Sequence, residues 1–532
     1  MKKSSINVLV FLFLTVLIQF IFGFYFNAYG ATLNYLFSGL LLDNPLVDTH
    51  FVCCLGQDYV LSKLYNFFPN ISWFPLSLLI GYFLIFISFL VLAKNAFPIF
   101  NHAKIILIAL FFLLLIINEF VFLGITFLAS FLVVLGFLLS FLIQEKSIKD
   151  YILIGFITVL GIIYRFDMTI LIASIFTIPI LVFEQKMNFK AFKALLPFIV
   201  INLLLIVAFL VDKQGSSELY KAGEPQFYFI SDGKFAVPID QMGSAQDSIK
   251  YMAVRRYFLN DEENITLNFV LSLVEKPNNI LEIISRSARS TWESGKIIFK
   301  KNPVFYLAFP ILWFFLIFLS KRRIAILIAP GLGLVLIFFV GIIFKLEHRM
   351  VFPILFGLIL YLLFQERERL KKLFISNVLL ILFLLSELLF FGLKHAEAKK
   401  NAKLYSDFLF ENGSKFENIL IDRESSFILN VGAFKPLNEL GAEIYTIDMG
   451  QLTYLPQYNS FLESKCNCNN KQFLNLINYI ESKNNLNIYL TSPENADFLK
   501  QYVKVIYNEN IEFKKVELNN IIDNINAYQI TN

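Results

Sequence analysis

Apolar runs about twenty residues long recur along this chain, and they constrain its fold more than any other feature. A helix of that length crosses a ~30 Å hydrocarbon core. Backbone amides inside lipid must bond within the protein, so each such run is expected to be a helix. The 532 residues are 57% hydrophobic, with a mean hydropathy of +0.64. A soluble globule of this length needs no such composition. The expected fold class is therefore an α-helical polytopic membrane protein.

Spans are expected near residues 6–26, 73–92, 195–211, 303–320, 324–344, 351–364 and 374–393. Two further stretches, 104–143 and 152–183, are each long enough for a helical hairpin. Asn118-Glu119 would form the tip of the first and Arg165-Phe166-Asp167 the tip of the second. That gives about eleven spans, with termini on opposite sides. The first run follows Met1-Lys2-Lys3 and resembles a signal peptide. It is longer than a signal's apolar region, so it is read as an uncleaved span.

Basic residues choose the orientation. Lys2 and Lys3, Lys94 and Lys104, Lys146 and Lys149, Lys186, Lys190 and Lys193, Lys321 to Arg323, and Arg367 to Lys372 fall in alternate short loops. The positive-inside rule puts those loops, and the N-terminus, in the cytoplasm. The formal net charge of +5 is thus spent on orientation, with no call for nucleic acid. The other set of loops faces out: residues 27–72, the 118 tip, the 165 tip, 212–302, 345–349 and everything after about 394.

Every ionisable residue that interrupts the apolar runs then falls on that outer side. These are Asp43, Asp48, His50, Asp58, Glu119, Arg165, Asp167, Glu347, His348 and Arg349. The helices around Arg165 and the one after Arg349 look short for a full crossing, which places these charges below the membrane surface. Charges at that depth must face protein or a wet cavity rather than lipid; the alternative reading makes them ordinary loop residues at the headgroup level. Glu387, within the last span, either joins such a cavity or pairs structurally.

Two domains are expected: a transmembrane domain, 1–394, carrying outer loops 27–72 and 212–302, and a small extracytoplasmic α/β domain, 395–532. In the long loop, 251–259 and 280–300 have helical apolar spacing. Its Arg255, Arg256, Arg286 and Arg289 suit either a solvated face or an anionic partner. In the tail, strand-like pieces lie at 419–421, 444–447, 488–490 and 511–516. Helical spacing of Phe473, Leu476, Ile477 and Ile480 alternates with them. Ser492-Pro493-Glu494 is a helix start, combining an N-cap, a first-turn proline and an early acid. Cys53/Cys54 and Cys466/Cys468 match no metal or redox spacing, and free thiols are expected over a bridge between the pairs.

The first outer loop carries Asp43, Asp48 and His50 within eight positions. A partly desolvated carboxylate becomes a better proton acceptor. It can take the proton of an acceptor hydroxyl as that oxygen attacks a sugar carbon. A lipid phosphate leaving group would need cations beside it. Arg165, His348 and Arg349 are suited to that, arginine by its planar fork.

Four segments carry a family resemblance: Pro45-Leu-Val-Asp48-Thr-His50-Phe51, Leu64-Tyr65-Asn66-Phe67-Phe68-Pro69 at the end of a long first loop, Tyr164-Arg165-Phe166-Asp167, and Lys345-Leu346-Glu347-His348-Arg349-Met350-Val351-Phe352-Pro353. Over roughly residues 1–393 the chain resembles the GT-C superfamily of membrane glycosyltransferases, which use polyprenyl-phosphate-linked sugars. The resemblance implies a GT-C-like fold with Asp48 as the catalytic base and Asp43 in reserve. His50, Asp58, Glu119, Arg165, Asp167, Glu347, His348 and Arg349 would bind substrate. It implies a polyprenyl-phosphate-linked sugar as donor, a glycan, lipid or protein as acceptor, and membrane lipids as surroundings. The setting would be the inner (cytoplasmic) membrane of a bacterium, with the C-terminus outside. Many members carry paired acids, whereas Thr49 follows Asp48 here. No cofactor is certain; the five-residue spacing of Asp43 and Asp48 leaves a divalent metal open.

Three other readings remain. A polysaccharide polymerase or O-antigen-type ligase would lean on outer Arg and His, with less need of a first-loop acid. A transporter would line a path through the membrane with charges. A non-catalytic envelope scaffold would need no lipid groove.

Overall fold

The computed structural model describes residues 3–21, 23–24, 57–96, 102–143, 147–184, 203, 237–256, 261, 264–273, 280–343, 347–366, 385–386, 388–397, 399–401, 403–404, 407, 418–421, 443–446, 487–516 and 526–531. Most of it is helix. In chain order the helices are α1 (Lys3–Ile21), α2 (Gln57–Phe67), α3 (Trp73–Ala96), α4 (His102–Leu115), α5 (Ile117–Val121), α6 (Ile125–Leu142), α7 (Ile148–Tyr164) and α8 (Phe166–Glu184). The long loop holds α9 (Ala245–Arg255), α10 (Leu267–Ser272) and α11 (Ile280–Lys301), and beyond it come α12 (Pro303–Leu319), α13 (Arg323–Ile343) and α14 (His348–Gln365). A last helix, α15 (Pro493–Tyr507), lies in the C-terminal tail.

Among the described residues, four helical stretches are long and apolar enough to cross a membrane: Trp73–Asn95, Ile125–Leu142, Arg323–Gly341 and His348–Gln365. Pro303–Leu319 joins them if counted with the end of α11, to which it is bent by 99°. The sequence placed helices at each of these positions. The spans expected at 195–211 and 374–393 lie wholly or largely outside the described residues. Two lengths differ from expectation. α14 begins at His348 rather than at 351, and only Arg165 separates α7 from α8. The positive N-terminal end of α14 does not itself favour His348 and Arg349; the carboxylates of Glu119 and Glu347 paired with them offset that cost.

α6 is the axis of the bundle, with sixteen of its eighteen residues buried. Its flanks carry aromatic ladders: Phe127 and Phe131 meet Phe352 and Phe356 of α14 with ring centroids 5.7 and 5.5 Å apart. Phe89 of α3 lies 6.1 Å from Phe131. α7 approaches α6 at glycine. A Cβ on Gly161 would sit 2.9 Å from the Ala129 carbonyl oxygen, so only glycine permits that helix spacing.

The tail forms one five-stranded sheet among the described residues: β1 (Asn418–Ile421), β2 (Glu443–Thr446), β3 (Asn487–Thr491), β4 (Glu512–Val516) and β5 (Asn526–Thr531). The order is β2-β1-β3-β5-β4, with β1 parallel to β2 and β3, and β5 antiparallel to β3 and β4. Four strands stand where the apolar pattern put them, and β5 is an addition. Ser492 caps α15 by accepting from the Asn495 N–H, and Asn508 ends it at φ 58°. The helix expected around Phe473 lies outside the described residues, as do all four cysteines.

The long loop and the tail pack together. Ile249, Val254, Ile265 and Val270 share a core with Phe498, Leu499, Tyr502 and Val503. Buried Asp261 accepts from the hydroxyls of Tyr502 (2.7 Å) and Tyr507 (2.5 Å) and from the Asn264 side chain. Arg256 bonds Asn495 and lies over the Phe498 ring, 5.1 Å from its centroid.

Candidate active site

The chain breaks between α4 and α6, and the break builds one side of the site. α5 is a single helical turn that carries Glu119. The turn after it is closed by Leu123, which is buried at φ 36°. A leucine in the left-handed region costs roughly 1 kcal/mol and persists only where packing fixes it. Here the Tyr82 hydroxyl donates to the Glu119 carbonyl oxygen at 2.6 Å, and its ring lies 4.7 Å from Phe120. α3 thus holds the backbone that presents Glu119. Asn118 donates from Nδ2 to the Glu119 carboxylate at 3.0 Å.

α14 supplies the partner. His348 is its first residue, and its Nε2 lies 3.3 Å from Glu119 Oε1. The two side chains are 10% and 17% exposed, so the pair is largely shielded from water. On the other side of the ring, Nδ1 lies 3.0 Å from the Tyr306 hydroxyl. With Nε2–H aimed at the carboxylate, neutral imidazole accepts from Tyr306 at Nδ1. Tyr306 itself is fixed near the start of α12, where Asn302 caps the helix and Pro303 opens it. Phe305 beside it packs on Phe352 at 4.2 Å. The result is a Tyr306–His348–Glu119 chain whose members come from three helices.

Such a chain can move a proton. The carboxylate selects one tautomer of the imidazole and stabilises the cation that forms when it takes a proton. Protonated at both ring nitrogens, His348 can instead donate from Nδ1 to an anionic oxygen that displaces the Tyr306 hydroxyl.

Two arginines stand at this end of the bundle. Arg165, the single residue between α7 and α8, donates from Nη1 to the Thr126 hydroxyl at 2.5 Å. Thr126 lies in the first turn of α6, two residues after Gly124, whose added Cβ would meet the Glu119 carboxylate at 3.9 Å. Tyr164 donates to the Ser77 carbonyl at 2.5 Å and anchors that corner to α3. Arg349 pairs with Glu347, both about three-tenths exposed. Pro353 has no N–H to offer the Arg349 carbonyl, which is released from the helix ladder.

Comparison with known family models, curated proteins and solved structures gives no match.

Of the residues singled out from sequence, Glu119 and His348 meet directly, and Arg165, Glu347 and Arg349 share their end of the bundle. Asp43, Asp48 and His50 lie outside the described residues. Asp58 is in α2 and Asp167 in α8, with side chains outside the described set. So is Glu387. Among the described residues, no group of three or more His, Cys, Asp or Glu is placed to hold a metal ion. The basic residues read as loop anchors lie elsewhere: Arg322 covers the Phe183 ring at 5.9 Å, beside the Ser320–Glu366 hydrogen bond at the far end of α12 and α14.

Sequence reasoning missed Tyr306, Tyr82 and Thr126. One signal was available for the tyrosines. Phenylalanine outnumbers tyrosine 62 to 23 here, so a tyrosine inside an apolar helix is a choice to carry a hydroxyl that needs a partner.

Proposed function

We propose that this chain is a membrane glycosyltransferase of GT-C-like architecture. It moves a sugar from a polyprenyl-phosphate donor to a glycan, lipid or protein acceptor on the extracytoplasmic side of a bacterial inner membrane, in cell-envelope glycan synthesis. About eleven spans carry the site, with the N-terminus in the cytoplasm and the C-terminal domain outside. The observation that supports this most is the meeting of Glu119 and His348, far apart in sequence, at one end of an apolar bundle where Arg165 and Arg349 also stand.

In this reading the acceptor hydroxyl attacks the anomeric carbon as the bond from that carbon to the phosphate oxygen breaks. Asp48 takes the hydroxyl proton, and Asp43 is its reserve. The polyprenyl phosphate leaves with the electron pair of the broken bond. Arg165 and Arg349 counter its charge, and His348, when protonated, donates to a phosphate oxygen. Arg349 exchanges Glu347 for phosphate, a trade between two anions that keeps the guanidinium paired throughout.

The His348-centred cluster also favours a second reading, the polymerase or ligase that works through outer Arg and His. One experiment separates them. Membranes lacking the protein should accumulate a polyprenyl-phosphate-linked monosaccharide, detected by mass spectrometry, and wild-type chain should clear it. Asp48→Asn should fold but fail to clear it. Clearance by Asp48→Asn would remove Asp48 as base and favour the ligase. Unchanged lipid-linked sugars in the absence of the chain would overturn the transferase reading.

A further inference from the structure

Helix α11 divides into three faces. Thr291 and Ile298 are buried against the bundle, and the Thr291 hydroxyl donates to the Gly341 carbonyl near the end of α13 at 2.7 Å. Leu281, Trp292 and Phe299 follow one another at three and two helical turns, so they share a second face. That face is open, with exposures of 77%, 67% and 42%. Lys296 and Lys300 occupy the third face, with Glu293, and are exposed, as is Ile297 at that face's far edge. The helix holds five basic residues against two acidic ones.

Its direction matters as much as its faces. The end of α11 meets α12 at 99°. If α12 and α13 stand across a bilayer, α11 lies in the membrane plane, level with the end that carries His348 and Tyr306. An amphipathic helix lying there buries its apolar edge at the headgroup and acyl boundary while its basic edge meets lipid phosphates. Lys296 already shows the snorkelling posture: its Nζ lies over the Trp292 ring at 5.9 Å and pairs with Glu293 at 2.8 Å.

We infer that α11 is an interfacial helix whose Leu281–Trp292–Phe299 edge sits in the bilayer surface and whose lysine edge takes anionic lipid headgroups. The occupant is the membrane itself. The inference rests on the reading of α12 and α13 as spans, and it adds a membrane-surface rail leading to the site. A polyprenyl phosphate travelling in that leaflet would reach His348 along α11.

Tryptophan fluorescence tests it in the intact chain, reconstituted in bilayers containing an anionic phospholipid. Lipids brominated near the headgroup end of the acyl chain, or deep within it, are the quenchers. Comparing wild type with Trp292→Phe isolates the Trp292 signal, and comparison with Trp313→Phe isolates Trp313, which lies within α12. The expected result is about twofold quenching of Trp292 by shallow bromines, much less by deep ones, and little by aqueous iodide. Iodide quenching of Trp292 without bromine quenching overturns the inference. So does stronger quenching by deep than by shallow bromines, which would make α11 re-entrant. Loss of bromine quenching at Trp313 overturns the span reading instead, so the two failures are distinguishable.

Discussion

Glu119 and His348 can be separated energetically by a double-mutant cycle. Glu119→Gln removes the charge and keeps an acceptor for Asn118. His348→Asn removes the Nε2 group and keeps a short polar atom near Tyr306. A hydrogen bond to a charged group contributes about 1.5–3 kcal/mol. The 3.3 Å separation is longer than the usual charge-assisted bond, which places this one at the lower end, about 1.5 kcal/mol. Each single variant should therefore lower thermal stability by about 2–4 °C, followed by tryptophan fluorescence in detergent. The double variant should lose less than the sum, with a coupling of about 1.5 kcal/mol, roughly tenfold in the unfolding equilibrium. If the two effects add to within about 0.5 kcal/mol, the residues do not interact and the proton-relay geometry is wrong. In a transfer assay, each single variant should slow turnover by about 10²-fold or more, the usual contribution of a positioned acid–base group.

Gly161→Ala places a methyl group against the Ala129 carbonyl at 2.9 Å; the helices must part, at a cost of about 1–3 kcal/mol, read as a lowered Tm. Gly243→Ala, with open space around it, is the control. Asp261→Ala strips the acceptor from Tyr502, Tyr507 and Asn264 at once, and the buried donors left behind cost about 3 kcal/mol or more in total. Limited proteolysis should then release the segment around α15, while wild type resists cleavage. Ser492→Ala should weaken α15 by about 1 kcal/mol, measured as faster amide exchange in its first turn.

Helix positions were legible because lipid-length apolar runs leave one backbone solution, and the strand pieces because short β-branched stretches recur between polar ones. The Ser492 cap was legible for the same local reason. Packing partners were not. A tyrosine in a phenylalanine-rich span marks Tyr306 as needing a hydroxyl partner, but the local pattern does not say that the partner is His348 on another helix. Glu119 and His348 stood out singly because charge inside an apolar run is costly, yet their meeting depends on the Leu123 turn and on the α12–α14 contact. The Asp261 hub was equally hidden. Its three side-chain partners, Asn264, Tyr502 and Tyr507, are contributed by the long loop and by α15, which are separated in sequence by the helices between them.

The distribution of polar bonds bears on what kind of machine this is. A transport path needs polar groups facing one another at successive depths. Within the described helices, three buried hydroxyls turn inward on their own backbone, although the Thr177 hydroxyl in α8 is buried without a partner. Ser88 donates to the Leu84 carbonyl, Ser130 to Thr126 and Thr158 to Ile154, at 2.6 to 2.8 Å. A hydroxyl bonded four residues back offers little to a passing solute. Bonds between helices lie instead toward the helix ends: Tyr164 to Ser77, Arg165 to Thr126, Tyr82 to the Glu119 carbonyl and Tyr306 to His348 at one, Trp313 to the Ile326 carbonyl and Ser320 to Glu366 at the other. The proposed chemistry at one membrane surface fits a tightly packed body that fixes the ends of several helices and brings Glu119, His348, Arg165 and Arg349 to one of them. Moving a hydroxyl pair to mid-depth would cost packing for no gain in a surface enzyme, whereas a carrier could not work without it.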